Sequence, residues 1–334
     1  MMKKRIKAGG AAVLVMALAL STFVLPKVYA ARELEVSRAC SVQVTVPVEE
    51  FSELGTLPVE IHLYKVADVN VQGEYSAVDV FETLNFSDIS SETKAAEWEE
   101  KAMEAKALVT EETEKAAVNT LVDGVGSATR LETGLYLVDA QQILSDTYQY
   151  DFKPYLISLP NNYYYATQND DWVYDLTGEN AIVLKPEKTD LYGDLVIEKT
   201  LDTYNATVGG ATFVFQVEGF KEDIDTGEKR EVYSNVLSMT FTGPGTESIT
   251  IKDLPAGAEV VVTEIYAGAS YELTSDENQT VIIVTNESEE APAKVAFSNT
   301  YNDEMNGGSG IVNSFTFDSE TGSWTHTATQ DSIQ

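Results

Sequence analysis

The chain has 334 residues, with 54 Asp and Glu against 22 Lys and Arg, and its formal net charge is −32 at pH 7. Such a negative surface repels nucleic acid and anionic lipid headgroups, so we expect neither as a partner. The length is sufficient for two domains with cores of their own. One cysteine and two histidines are too few for an internal disulfide and leave little material for a zinc site or a Ser-His-Asp triad, and we expect no metal and no cofactor.

Residues 1–30 have the composition of a secretory signal peptide. Basic residues between positions 3 and 7 precede an apolar stretch at 11–25, and Val28-Tyr-Ala30 supplies a cleavage site with a small final residue. The apolar stretch is shorter than the roughly 20 residues that a membrane-spanning helix needs. We therefore predict export, removal of residues 1–30 and no stable membrane span afterwards.

Residues 31–188 are predicted to form a first domain, a β-sandwich with a helical insert. Alternation of apolar and polar residues predicts strands at 41–46, 58–67, 74–78, 133–138, 152–160, 171–175 and 181–186. At about 90–122 the pattern changes, because small and apolar residues recur at helical spacing among Glu and Lys. Ala95, Trp98, Ala102, Ala105 and Leu108 carry this spacing. We expect one or two helices packed on the sandwich.

Residues 189–302 are predicted to form a second domain. Its strands are expected at 195–200, 211–217, 236–241, 247–251, 260–265, 280–285 and 295–301, with turns marked by glycine between them. Regular short strands separated by such turns favour a sandwich.

Three of these strands each carry one polar residue at a position expected to face the core: Lys199, Glu264 and Asn299. An apolar site disfavours the charged forms of lysine and glutamate. A neutral Lys199 is nucleophilic, and Glu264 can hydrogen-bond the Asn299 amide and move protons as ammonia leaves. The product is an intramolecular Lys–Asn isopeptide bond. The alternative is an ordinary sandwich with a surface lysine, a solvated carboxylate and a turn asparagine.

The motifs around these three residues resemble a Cna B-type domain, the immunoglobulin-like module of Gram-positive pilins and adhesins. The motifs are Asp194-Leu-Val-Ile-Glu-Lys199, Leu254-Pro-Ala-Gly257 before Val262-Thr-Glu264, and Phe297-Ser-Asn-Thr-Tyr301. In that family the corresponding lysine and asparagine are cross-linked. The resemblance therefore implies that Lys199 and Asn299 are joined and that Glu264 catalyses the reaction.

The first domain is similar to the N-terminal domain of sortase-assembled Gram-positive pilins. The similarity lies in Ile61-His-Leu-Tyr-Lys-Val-Ala67, Gly134-Leu-Tyr-Leu-Val138, Pro154-Tyr-Leu-Ile-Ser-Leu-Pro160 and Trp172-Val-Tyr-Asp175. Together the two resemblances predict an all-β protein of tandem immunoglobulin-like (Cna B-type) sandwiches, the first with a helical insertion.

The lysine that links one pilin to the next is displaced in this sequence. The pilin motif ends in Tyr-Pro-Lys, and aligning its proline with Pro186 places Glu187 at the lysine position. Lys185 and Lys188 flank that position and are the two candidates for an intermolecular linkage.

The tail at 303–334 combines a glycine-rich joint, Asn306-Gly-Gly-Ser-Gly310, with two expected strands at 311–317 and 323–329. This hairpin either donates a strand to a neighbouring subunit or packs on the second domain. No Leu-Pro-x-Thr-Gly sorting sequence precedes Gln334. We therefore expect no sortase attachment through this end.

The sequence favours an exported structural subunit, a pilin-like or fimbrial component of a Gram-positive cell surface. Its expected partners are other pilin-like subunits or copies of itself, together with a sortase or a sortase-anchored protein. The alternative is a secreted or surface adhesin that binds a host or matrix ligand through the helical insert and the Tyr163-Tyr-Tyr165 segment of the first domain. We expect no enzymatic activity on other molecules, because Glu264 acts once and on its own chain.

Overall fold

A computed structural model describes residues 33–89, 93–162, 171–207, 209–268, 270–303, 310–318 and 323–331. The predicted signal peptide, the tyrosines at 163–165 and residues 306–309 of the glycine-rich joint lie outside this part of the chain. Within it, no helix has both the length and the apolar character needed to cross a bilayer.

The first domain consists of short strands, one α-helix and three 3-10 turns. In chain order the strands are β1 Cys40–Thr45, β2 Glu60–Val69, β3 Tyr75–Ala77, β4 Ala117–Thr120, β5 Val125–Leu131, β6 Gly134–Ala140, β7 Ile143–Leu144, β8 Tyr148–Phe152, β9 Tyr155–Leu159, β10 Asn161–Asn162, β11 Trp172–Val173, β12 Asp175–Leu176, β13 Ile182–Val183 and β14 Pro186–Asp190. The 3-10 turns are Ser52–Gly55, Asp79–Phe81 and Gly178–Asn180, and helix α1 is Ala95–Leu108.

Two sheets of this domain enclose its main core. In one, β1 pairs with β5 and, along its other edge, with β12 and then β13. In the other, β2 and β6 form the centre, with β3, β4 and β9 at the edges. Alternate residues of β1 and β2, such as Val42 and Ile61, are buried between these sheets.

Helix α1 covers the outer face of the β2–β6 sheet, which explains why every residue of β6 is buried. Ala102 and Ala105 pack on Tyr64 and Leu137 in a second apolar cluster. The helical insert is one helix, shorter than the predicted 90–122. The C-terminal part of the predicted insert instead forms β4, because residues 117–120 pair with the edge of β2.

The connection between the two domains includes a strand, β14. Strand β14 pairs with β8 along its whole length, and the predicted boundary at 188/189 falls inside it. The Leu191 N–H then donates to the Thr147 carbonyl at 3.0 Å, and the Ala256 N–H donates to the Leu191 carbonyl at 2.8 Å. Gly257 packs so closely on the first domain that a methyl group there would lie 2.4 Å from Thr147 Cγ2.

The second domain is a sandwich of two four-stranded sheets. Its strands are β15 Tyr192–Leu201, β16 Ala211–Glu222, β17 Lys229–Phe241, β18 Gly245–Pro255, β19 Glu259–Tyr266, β20 Tyr271–Leu273, β21 Asn278–Ile282 and β22 Ala293–Tyr301. One sheet has the order β18-β15-β22-β20 and the other β17-β16-β19-β21. The first and last strands, β15 and β22, are parallel neighbours. The predicted all-β fold of tandem sandwiches with a helical insertion in the first is confirmed.

Near the end of the chain, β23 Gly310–Asp318 and β24 Ser323–Asp331 form an antiparallel hairpin. Among the described strands, these two pair only with each other.

Candidate functional site

The three predicted site residues meet in the core of the second domain. In β15, Leu195, Ile197, Lys199 and Leu201 point inward by strict alternation. The same alternation turns Asn299 inward on the adjacent β22. Glu264 comes from β19 in the opposite sheet, so the site bridges the two layers of the sandwich.

The contacts among the three side chains are direct. Lys199 Nζ lies 2.5 Å from Glu264 Oε2 and also contacts Asn299 Oδ1. The Asn299 amide nitrogen donates to Glu264 Oε1 at 2.7 Å. The glutamate therefore touches both the amine and the amide with its two oxygens. Lys199 and Asn299 are both 0% exposed, and the side chain of Glu264 is also fully enclosed.

Aromatic rings form the walls of this site. Lys199 Nζ lies 4.5 Å from the centroid of Phe213 and 5.8 Å from that of Phe215. The Phe297 ring packs against Phe215 with a centroid separation of 5.2 Å. These rings exclude water, so the site offers a low dielectric constant and few alternative hydrogen-bond partners.

Burial moves the protonation equilibria of the pair toward neutral forms. Desolvation lowers the pKa of Lys199 and outweighs the opposing effect of Glu264. Desolvation likewise raises the pKa of Glu264 and outweighs the hydrogen bonds from Lys199 and Asn299. A neutral amine and a protonated acid beside a carboxamide are the reactants that the predicted cross-link needs.

The two candidate linkage lysines lie in different surroundings. Lys185 is exposed and has no ion pair or hydrogen bond within the described residues. Lys188 is ion-paired with Asp225, lies 3.5 Å from Asp223 and packs over the ring of Tyr148. Burial alone would lower the pKa of Lys188, but the hydrogen bond and charge of Asp225, with a smaller effect of Asp223, raise it.

Lys65 and Lys153 of the first domain lack surroundings like those of Lys199. Lys65 is paired with Asp68 and Glu132, each at 2.7 Å, and Lys153 is exposed beside Glu187 at 3.0 Å. Neither pair is enclosed, and neither includes a carboxamide. No group of three or more potential metal ligands occurs within the described residues.

The sequence interpretation missed a second buried lysine, Lys221, at the junction of the domains. Lys221 is 3% exposed, pairs with Asp190 at 2.6 Å and lies over Tyr148 at 4.2 Å. Arg230 approaches the other oxygen of Asp190 at 3.3 Å. A lysine at a buried position of the alternating strand β16 is the signal that could have identified it.

Comparisons with known proteins found one family match, within the second domain, and a set of distant structural neighbours. Residues 195–302 match a family described as a domain of unknown function (DUF5979). No curated protein sequence matches the chain.

Solved structures similar to this chain include two pilins and one further bacterial protein. The first is a streptococcal ancillary pilin, 12% identical, over 85% of this chain and 74% of that one, with a TM-score of 0.26. The second is the major pilin SpaA of Corynebacterium diphtheriae, 11% identical, over 78% and 100%, with a TM-score of 0.23. The third is the TIE protein of Bacillus anthracis, 12% identical, over 89% and 42%, with a TM-score of 0.29. This chain therefore spans less than half of the Bacillus protein. Pilins of Gram-positive bacteria recur among these neighbours, and the assignment of tandem sandwiches rests on the sheets of this chain itself.

Proposed function

We propose that this chain is an exported, pilin-like structural subunit of a Gram-positive cell surface, and that a Lys199–Asn299 isopeptide bond hardens its second domain. The observation that carries the proposal is the enclosed contact of Lys199, Glu264 and Asn299. A structural sandwich has no need to bury a lysine, an acid and a carboxamide together, because each polar group loses hydration.

The proposed reaction balances without a cofactor. The neutral Nζ of Lys199 attacks the carboxamide carbon of Asn299, and a new C–N bond forms. Glu264 receives a proton from the attacking nitrogen and delivers one to Nδ2, so that the C–Nδ2 bond breaks and ammonia leaves. The two oxygens of Glu264 already lie against the nitrogen that loses a proton and the nitrogen that gains one.

The bond joins the first and last strands of the domain across 100 sequence positions. Judged as a disulfide closing a loop of that length, it stabilises the folded state by about 4–5 kcal/mol. Because β15 and β22 are parallel neighbours, a force applied to the two ends of the domain passes through the covalent bond. Such a domain suits a protein that must resist pulling and proteolysis outside the cell.

Assembly with other subunits, or with copies of itself, is the second part of the proposal. Lys185 is the better candidate for a covalent linkage through a sortase or a sortase-anchored partner, because its amine is exposed and has no partner among the residues that the structure describes. Lys188 is ion-paired with Asp225 at the junction of the domains, and its raised pKa keeps the amine protonated.

The test is the intact mass of the folded protein, measured beside that of three variants. We expect the wild-type chain to lack the mass of one ammonia. Lys199→Met removes the nucleophile while keeping an apolar side chain of similar length, and Glu264→Gln keeps the shape but removes the acid. Both should have their full mass. Lys221→Met removes the other buried lysine and should still lose ammonia.

Proteolytic digestion then locates the bond, which should appear as a branched peptide joining the segments around positions 199 and 299. A wild-type chain of full mass would contradict the cross-link. A mass loss that persists in Lys199→Met would place the reaction elsewhere.

A further inference from the structure

The end of the first domain that lies away from the second domain contains a polar groove. Strand β1 begins there, and β2 and β5 end there, as their pairing registers show. The contacts with the second domain are at the opposite ends of these strands, near Ser52 and Thr147. The groove has a volume of about 470 Å³. Its lining includes the segment 36–39, the segment 130–133 and the side chains of Lys65 and Asp68.

Two arginines that line this groove have no acidic partner. Within the described residues, neither the Arg38 nor the Arg130 guanidinium makes an ion pair or a hydrogen bond. Arg230, in contrast, approaches Asp190. In a chain with 54 acidic residues, two unpaired guanidinium groups in one groove are unexpected. Guanidinium groups present paired N–H donors that match the two oxygens of a carboxylate.

Arg130 occupies a backbone conformation that arginine seldom adopts. Cys40 pairs with Leu131 and Ser41 with Thr129, so Arg130 is the extra residue of a β-bulge. Its φ is +61°, in the left-handed region that favours glycine. Bulges redirect side chains, and strained backbone of this kind is concentrated at functional positions. Here the bulge brings an exposed arginine to the groove.

The walls of the groove are held in place by other interactions. The Arg38 guanidinium stacks on Tyr174 at 4.2 Å from the ring centroid, and the Glu35 N–H donates to the Tyr174 hydroxyl at 2.8 Å. Thr133 Oγ1 donates to the Val36 carbonyl at 3.0 Å, which ties the segment 36–39 to the start of β6. The edge of a stacked guanidinium remains available to a ligand, and its orientation is already fixed.

From this arrangement we infer that the groove binds a peptide segment carrying one or two carboxylates, with Arg38 and Arg130 as the anion-binding residues. Asp68 and Glu132 also line the groove and are each paired with Lys65. The charged lining therefore carries three cations and two carboxylates, a net charge of +1. The two arginines, which have no ion pair within the described residues, can each receive one carboxylate, whereas the small net charge is unfavourable for a densely charged polyanion. Val36, Val69 and Leu131 add apolar contacts that suit a peptide.

The inference can be tested by nuclear magnetic resonance on the full chain, labelled with nitrogen-15. The probe is the capped peptide acetyl-Ala-Glu-Ala-Glu-Ala-amide, and its glutamine counterpart is the matched neutral peptide. We expect saturable shifts of the amides at 36–39 and 130–133 with the acidic peptide, and none with the neutral one. A heparin hexasaccharide serves as the polyanion and should bind more weakly than the acidic peptide.

The variants separate ligand binding from folding. Arg130→Gly removes the guanidinium and relieves the left-handed backbone, so thermal stability should be kept or increased while affinity falls about tenfold or more. Arg38→Gln should weaken binding by a similar factor. Arg230→Gln removes an arginine of the second domain and should bind as the wild type does. Unchanged affinity in Arg130→Gly would overturn the inference. Equal binding of the neutral peptide, tighter binding of the hexasaccharide, or no saturable shift at millimolar peptide would overturn it too.

Discussion

Lys199 and Lys221 are two lysines buried to nearly the same extent, and each lies over an aromatic ring. Their acidic partners differ. Glu264 is enclosed and shares its oxygens between Lys199 and a carboxamide, whereas the Asp190 side chain is 24% exposed and is approached by a second cation, Arg230. Asp190 is thus shared by two cations and partly hydrated, and it contacts no carboxamide. The comparison teaches that burial of a lysine does not by itself assemble the three groups of the predicted cross-link, because the acid must also be enclosed and lie against a carboxamide.

Lys188, at the junction of the domains, differs from Lys199 in the direction of its pKa shift. Its pKa is raised, whereas that of Lys199 is lowered, because Asp225 and Asp223 oppose and outweigh the desolvation of Lys188. The lysine at the junction is therefore held in an ion pair, whereas burial favours the neutral form of the lysine in the core of the second domain.

The largest expected effect comes from preventing the cross-link. Glu264→Gln should leave Lys199 and Asn299 unjoined and reduce the free energy of unfolding of the second domain by about 4–5 kcal/mol. For a domain of this size, the melting temperature should fall by about 20 °C or more. Differential scanning calorimetry measures both. Lys221→Met is the control, since it removes a buried lysine but leaves the bond, and an equal loss in both variants would contradict the assignment.

A second variant gives the buried Lys221 a carboxamide neighbour, as Lys199 has in Asn299. Asp190→Asn places a carboxamide beside Lys221 without an enclosed acid, and we expect no additional loss of ammonia in the intact mass. The buried lysine loses its counter-ion, so stability should fall by about 2–3 kcal/mol, less than for a fully buried pair because Asp190 is partly hydrated. A second ammonia lost from this variant would show that an enclosed acid is unnecessary.

The junction should weaken in acid. Burial alone would raise the pKa of Asp225, but hydrogen bonds from Lys188 and from Ser52 lower it. Since the folded-state pKa lies below the unfolded value of about 3.9, the stabilisation is present above about pH 4 and is lost as the pH falls through the folded-state pKa. Denaturant unfolding of the wild type and of Asp225→Asn should differ by about 1–2 kcal/mol at pH 7, and the difference should shrink as the pH falls below about 4. A difference that does not shrink in acid would contradict this account.

The smallest effect concerns the two candidate linkage lysines. An acylating reagent should modify Lys185 faster than Lys188. Lys185 is exposed and has no partner in the described part of the chain, whereas Lys188 has a raised pKa and an ion pair. Peptide mass spectrometry after brief labelling measures the ratio. Asp225→Asn should increase the labelling of Lys188 without changing that of Lys185. Equal labelling of Lys185 and Lys188 in the wild type would contradict the predicted difference in their reactivity.

Much of the second domain could be predicted because the pattern that marks its strands lies in residues close together in the sequence. Alternation within β15, β19 and β22 follows from the geometry of an extended backbone, so a lysine, a glutamate and an asparagine on the apolar faces were visible without a structure. The strand β20, of three residues, was too short to show a period and was missed.

The sequence alone determined the strand character of the segments with clear alternation, such as 41–46, 195–200 and 260–265. It also determined the inward positions of Lys199, Glu264 and Asn299 and the helical spacing from Ala95 to Leu108. Only the tertiary structure decided that residues 117–120 form a strand, because pairing with β2 outweighs local preference there. It also decided that residues 186–190 pair with β8, and that Asp225 reaches Lys188 from a distant turn. The alternation of buried and exposed side chains depends on neighbouring residues within one strand. Strand pairing and ion pairs depend instead on how distant segments of the chain pack together.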